Sequence, residues 1–266
     1  MNDIKDLFIQ IGLADARGVN YTERLKKCAQ LYDYAAIFRT ALKRLSAKRP
    51  LLLLDCGCGR SYLSFFLNYT LQSMGWNNLY FIGVDSNREL IGKCRDAASA
   101  LGFANMEFRA GDIIDLRAGA DIDIVYSLHA CNTATDQTIF AGLANNAKYI
   151  LSVSCCQHYA RGQMKGHPLA SVTRYGPYKE RLADMVADSL RSLLLEACGY
   201  TADIFEFTPQ RNTPKNVMLR AQKTGQSGER VRRAAQEYER LSAMFNVRPA
   251  LEGYLAGYDF NHFRQY

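Results

Sequence analysis

Five short clusters of polar residues in this chain stand directly after apolar runs, and each holds side chains able to do chemistry. They read Asp55-Cys56-Gly57-Cys58-Gly59, Asp85-Ser86, Gly111-Asp112-Ile113, His129-Ala130-Cys131-Asn132 and Ser154-Cys155-Cys156-Gln157-His158. The glycines of the first cluster let backbone approach a ligand closely, and a helix starting just after them favours negative charge. Asp85 stands 26 residues after Gly59, the place of a ribose-binding carboxylate in a nucleotide-binding unit. Capping a helix is the other use of a carboxylate there. His129 and His158 offer imidazoles that titrate near neutral pH and can take a proton from a nucleophile. Both could instead orient their loops by hydrogen bonds. Cys131, Cys155, Cys156 and His158 are metal ligands by type, but adjacent cysteines and the lack of a CxxC pair argue against a tetrahedral ion. No metal site is therefore expected.

Clusters of this kind need a scaffold that gathers them at one edge. Leu51–Leu54 has no polar alternation and reads as a strand buried on both faces of a parallel sheet. It runs into the Asp55–Gly59 turn, and an apolar helical pattern through Tyr62, Leu63, Phe65 and Phe66 follows. Further strands are expected at Leu79–Val84, Met106–Arg109, Ile122–Leu128 and Tyr149–Ser154, with helices at Arg88–Leu101 and Asp136–Asn145. The alternation predicts an α/β fold with a doubly wound, mostly parallel sheet. Two more strands, Ala202–Phe207 and Val217–Ala221, form a hairpin-like pair and bring the sheet to seven. Ligands of such sheets collect at the carboxyl ends of the strands.

The flanks are helical. Residues 3–12 fit a short amphipathic helix. From Tyr21 to Ala47 the residues Leu25, Cys28, Leu31, Tyr32, Ala35, Ile37, Phe38, Leu42 and Leu45 fit an apolar stripe on one or two helices. Glu180–Cys198 reads as a long helix, and residues 225–245 as a turn that includes Gln226 and continues into a basic helix. Gln157–Tyr178 is polar and too long for a simple connection, which suits a substrate loop or lid. The expected organisation is a helical arm (1–49), a central domain (50–223) and a helical extension (224–266).

With 48% apolar and 22% charged residues, the chain has the composition of an ordinary soluble globular protein. No apolar run reaches the roughly 20 residues of a membrane span, and no signal-peptide pattern opens the chain. The eight cysteines do not suggest a secreted disulfide framework, so reduced thiols and a cytoplasmic location are expected. Net charge is +7, unevenly spread: residues 17–49 hold nine Lys/Arg against two Asp/Glu, residues 51–150 seven against ten. A basic arm, the 157–178 loop and the C-terminal helix with Arg230, Arg232 and Arg233 suit a polyanion such as RNA. A solvated helix face would have the same composition.

Asp55-x-Gly-x-Gly, the acidic ends of strands two and three, and the final hairpin resemble class I S-adenosylmethionine-dependent methyltransferases with their Rossmann-like fold. The segments DCGCGRSYLSFFL, SLHACNTATD, SCCQH, YGPYKERLADMVADSLRSLLLE and RNTPKNVMLRA resemble a bacterial branch of that superfamily. That branch is similar to eukaryotic tRNA 2′-O-methyltransferases. The resemblance covers about residues 50–222. It implies S-adenosylmethionine as cofactor, with Asp55, Cys56, Gly57 and Gly59 at its amino-acid end and Asp85 and Ser86 at its ribose. Asp112 and Ile113 would meet the adenine, with Leu128 lining the site. The catalytic candidates are His129, Asn132 and His158, and RNA is the expected acceptor. Where the resemblance leads one to expect Asp, this chain has Asn132. A small-molecule methyltransferase and a catalytically silent RNA-binding relative are the alternatives. An NAD-dependent oxidoreductase fits the two-glycine turn poorly.

Overall fold

The structure, a computed structural model, describes residues 4–15, 22–46, 48–116, 119, 121–225 and 227–257. Its elements in order are α1 (Ile4–Gln10), α2 (Thr22–Leu42), β1 (Leu51–Cys56), α3 (Tyr62–Ser73), β2 (Leu79–Asp85), α4 (Arg88–Ala100) and β3 (Met106–Ala110). There follow a 3-10 turn (Ile113–Asp115), β4 (Ile124–Ala130), α5 (Thr133–Ala144), β5 (Tyr149–Ser154), α6 (His158–Gln163), α7 (Ala170–Thr173) and α8 (Gly176–Ala197). The chain closes with β6 (Tyr200–Glu206), β7 (Val217–Lys223), α9 (Glu229–Phe245) and α10 (Ala250–Ala256). The seven strands order as β3-β2-β1-β4-β5-β7-β6, with only β7 antiparallel to its neighbours. The doubly wound, mostly parallel seven-stranded sheet is as the sequence led us to expect.

Leu51, Leu53 and Leu54 are fully buried, which explains the unbroken apolar run: helices cover both faces of β1. One core layer gathers α1, α2, α3 and α4 on one face, the other α5, α8, α9 and α10 on the opposite face. Helix α2 is one continuous element packed into the first layer, with Tyr34 and Phe38 wholly buried. The Tyr34 hydroxyl donates to the carbonyl of Leu151 at 3.0 Å, so a polar atom is satisfied beneath the sheet. Leu25 and Tyr32, placed on the apolar stripe by the sequence, are instead exposed.

Several boundaries differ. The fourth strand begins at Ile124 and runs on through a register shift to Ala130. Asp123, before it, leaves the strand to accept from Arg49 and from the Leu52 amide. The 157–178 segment is not an open loop: it holds α6 and α7, because Ala160 and Met164 bury against the second layer. Residues 3, 21, 47, 226 and 258–266, which several of the sequence readings included, lie outside the described residues.

At the carboxyl edge of the sheet one buried cation fastens four segments. Arg191 of α8 donates from Nε and Nη2 to Asp136 at 2.9 and 2.8 Å, and from Nη1 to Asp188 at 3.1 Å. Its Nη1 also donates to Gln157 Oε1, and its Nη2 to the Asn132 carbonyl. Removing one partner of a buried ion pair leaves charge uncompensated in a low-dielectric interior. Arg191→Met is expected to cost about 3–5 kcal/mol in urea denaturation. A loss below about 1 kcal/mol would show that packing, not this network, holds the edge.

Candidate active site

Asp55 is the penultimate residue of β1 and only 4% exposed. Its Oδ2 accepts from the hydroxyls of Ser61 and Ser64, and Ser64 Oγ is 2.6 Å from the Tyr126 hydroxyl. Burial outweighs these bonds and raises the Asp55 pKa to about 6. Gly57 and Gly59 then turn the chain at φ +66° and +54°, a region open to glycine at little cost. The Gly59 amide donates to Asp85 Oδ2 at 2.8 Å, and the Asn87 amide to Asp85 Oδ1 at 2.9 Å. Asp85 thus ties the two turns together, with its carboxylate still partly exposed.

Above this turn lies a cavity of about 310 Å³ lined by Lys27, Leu31, Asp55, Gly57, Cys58, Gly59, Arg60, Tyr62, Leu63, Leu128 and His129. Strand β4 and the turn supply its floor and α2 one wall. The Lys27 ammonium stands 4.9 Å over the Tyr62 ring. His129 sits at the β4 register shift with φ +63°. Its Nε2 is 2.8 Å from Gln30 Oε1, while its buried Nδ1 has no partner. Burial, then the nearby Lys27 charge, lowers its pKa below the ordinary histidine value.

Of the residues singled out in the sequence, Asp55, Gly57, Gly59, Leu128 and His129 meet at this cavity. The Cys56 side chain points instead into the second core layer, where burial pushes its thiol up. Ser86 is exposed beside Asp85. Asp112 is exposed and caps the 3-10 turn by accepting from the Ile114 amide; Ile113 is buried, 3.9 Å from where a Cβ on Gly57 would stand. Asn132 and His158 do not line the cavity. Asn132, at φ +55°, donates its amide to the Cys156 carbonyl and accepts from the Tyr159 amide at 2.7 Å. It joins the loops after β4 and β5. His158 is exposed, its Nδ1 paired with Arg161. Lys27, Gln30, Arg60 and Tyr62 were not among the expected site residues; Lys27 and Gln30 come from a helix distant in sequence from any strand end.

Two expectations require correction. Cys131 and Cys155 are joined in a disulfide with Cα atoms 5.4 Å apart, so the cysteines are not all reduced. The strand-end loops of neighbouring β4 and β5 bring them together. Cys156 is the third sulfur, all three lying within 4.8 Å of one another, but sulfurs joined in a disulfide are not thiolate ligands. The basic residues also divide. Arg49 pairs with Asp123 and Arg44 with Gln222 at the amino edge of the sheet. Strand β7 runs back to that same edge, where the Lys223 amide meets the Lys148 carbonyl, so α9 starts there with Arg230, Arg232 and Arg233. At the carboxyl edge, basic side chains come from the start of α2, from Arg60 in the turn after β1 and from the 157–178 segment. Among the described residues no helix is long and apolar enough to cross a membrane.

A family model described as a methyltransferase domain matches residues 26–163, more than half of the chain. Among solved structures, the magnesium protoporphyrin IX methyltransferase of Synechocystis PCC 6803 with bound SAH is 18% identical at a TM-score of 0.52, covering 82% of this chain and 94% of that one. The same enzyme with bound SAM is 14% identical at 0.50, covering 84% and 92%. CurJ carbon methyltransferase is 14% identical at 0.50, covering 83% and 57%. No curated protein matches. The chain belongs to the methyltransferase domain family, and its fold is that of S-adenosylmethionine-dependent methyltransferases.

The raised Asp55 pKa has a pH consequence. A carboxyl with a folded pKa of about 6 and an ordinary unfolded value binds more protons when folded. Its contribution is present in acid and is lost as pH rises through the window from about 4 to 6. The stability difference between wild type and Asp55→Asn should therefore move against wild type, on the order of 2–3 kcal/mol between about pH 4 and 7. Urea midpoints measured across that range check it, and a flat difference would mean that Asp55 titrates normally.

Proposed function

We propose that the chain transfers a methyl group from S-adenosylmethionine to RNA, at the 2′-hydroxyl of a tRNA ribose. When bound, the cofactor supplies an electrophilic methyl group on a sulfonium. The residues of the cavity fit its chemistry. Asp55 would hold the cationic amine and Lys27 and Arg60 the carboxylate, and Asp85 keeps lone pairs free for ribose hydroxyls. Asp112 and Ile113, beside the Gly57 turn, would flank the adenine. His129, neutral near pH 7 and with Nδ1 unpartnered, takes the proton of the attacking hydroxyl.

The observation that carries the RNA reading is the rim formed by the 157–178 segment, which hangs from β5 beside β4. Tyr159, Tyr175 and Tyr178 are about half exposed, at 46%, 50% and 52%. Arg174 stacks 4.7 Å over the Tyr175 ring, with Arg161 and Lys165 on the same segment. Exposed aromatics interleaved with cations suit an unpaired, stacked base on a phosphate backbone. The SLHACNTATD and SCCQH segments, which resemble tRNA 2′-O-methyltransferases, form the loops beside it.

Two measurements test this reading. Asp85→Ala should weaken S-adenosylmethionine binding in calorimetry by about 1–3 kcal/mol through lost hydrogen bonds, and unchanged affinity would remove Asp85 from the site. Labelled methyl from S-adenosylmethionine should enter small RNA, and filter binding of that RNA should weaken steeply with salt. Arg161→Ala with Arg174→Ala should lower affinity and salt slope together, whereas alanine at Arg230, Arg232 and Arg233 should leave both unchanged. Label found only in small metabolites, with RNA binding indifferent to salt, would favour a small-molecule methyltransferase.

A further inference from the structure

We propose that Gln30 is a positioning residue for methyl transfer, holding His129 in the one tautomer that leaves Nδ1 free as a base. The 208–216 loop in turn holds Gln30. This rests on His129 being the base, as inferred above.

A single chain of hydrogen bonds runs from that loop to the imidazole. Gln30 Nε2 lies 3.0 Å from the Asn212 carbonyl oxygen. An amide nitrogen only donates and a carbonyl only accepts, so this contact fixes which way the Gln30 amide faces. Its Oε1 must then face the imidazole, and at 2.8 Å from Nε2 it accepts the ring N–H there. A neutral imidazole has one N–H, so Nδ1 keeps its lone pair. That atom is buried with no hydrogen-bond partner, on a residue lining the same cavity as Asp55 and Gly57. A buried acceptor without a donor is uncommon in native proteins. The left-handed backbone of His129 is the kind of local strain that persists only where its surroundings enforce it.

The loop between β6 and β7 is fastened to α2 at two nearby points. Thr208 Oγ1 donates to Asp33, Asn212 Nδ2 donates to Thr208 Oγ1 at 2.8 Å, and Asn216 Nδ2 donates to the Thr208 carbonyl at 2.9 Å. The Asn212 carbonyl is thereby presented to Gln30, three residues before Asp33 on the helix. The RNTPKN segment thus sets the orientation of an amide, and that amide sets the tautomer of a base.

The charged groups that line the cavity with His129 are Lys27 from α2, Asp55 from β1 and Arg60 from the turn. Lys27 and burial both disfavour the imidazolium. Gln30 accepts the Nε2 hydrogen without bringing a charge. Gln30→Glu would accept the same hydrogen with a carboxylate, which favours the imidazolium. The neutral, basic form of His129 would then exist only at higher pH.

The test combines two-bond proton–nitrogen NMR of the four histidines, with His129 assigned by a His129→Ala variant, and pH–rate profiles with labelled S-adenosylmethionine and small RNA. Wild type should show His129 neutral at pH 7 in the Nε2–H tautomer. Gln30→Leu should mix the tautomers and lower kcat tenfold or more, with S-adenosylmethionine affinity unchanged. Gln30→Glu should keep the tautomer and move the acidic limb of the rate profile to higher pH. An unchanged His129 spectrum in Gln30→Leu, or an unmoved limb in Gln30→Glu, would overturn the proposal while His129→Ala remains inactive. A fully active His129→Ala would instead overturn the base reading on which the proposal rests, and the proposal with it.

Discussion

The guanidinium of Arg191 is buried, and in a dry interior a cation is tolerated only when nearly every donor finds an acceptor. Two carboxylates, one amide oxygen and one carbonyl meet that need. They come from α5, α8 and the loops after β4 and β5, so satisfying one side chain fixes the relative positions of all four segments. Asn132 then accepts from the Tyr159 amide and donates to the Cys156 carbonyl, and the Cys131–Cys155 disulfide closes the same junction. The residues next to the cavity are thus held by a polar network behind them, while the apolar layers hold the sheet itself.

Most of the sheet was legible because burial on both faces leaves an unmistakable trace, as in Leu51–Leu54. The strand-end residues that line the cavity, Asp55, Gly57, Gly59, Leu128 and His129, were legible for the same reason: a strand that stops being apolar announces its edge. The fourth strand was harder, since the register shift between Leu128 and Ala130 lets it continue through His129, a residue that reads as loop. Nothing local marks Lys27 or Gln30. Gln30 is a buried polar residue in a helix otherwise packed by Leu31, Tyr34 and Phe38, and its partners are 99 and 182 residues away. Only the fold supplies that pairing.

Charge counting leaves out the geometry of the helices that carry the charges. A helix of 21 residues is about 31 Å long, enough to run from one edge of the sheet to the other. The basic residues of the N-terminal segment therefore split between two edges, Lys26 and Lys27 at one and Arg44 and Arg49 at the other. Helix α9 repeats the pattern, with its basic start at the amino edge and its end returning to meet α6, where Gln163 donates to the Arg248 carbonyl. A sum over a segment carries no information about which end of the sheet a charge serves.

Within the cavity, burial acts on acid and base in opposite electrical senses yet toward the same condition. It raises the Asp55 pKa and lowers that of His129, so each is driven toward its neutral form. A ligand carrying positive charge changes this balance asymmetrically. Beside Asp55 it favours the carboxylate, recovering part of the desolvation cost as attraction. Beside His129 the same charge disfavours the imidazolium and keeps Nδ1 unprotonated. In the proposed function a cationic methyl donor would therefore favour its own anchor and keep His129 deprotonated in one binding event, whereas a neutral or anionic ligand of the same shape would do neither. On that reading the cavity would discriminate by charge as well as by size.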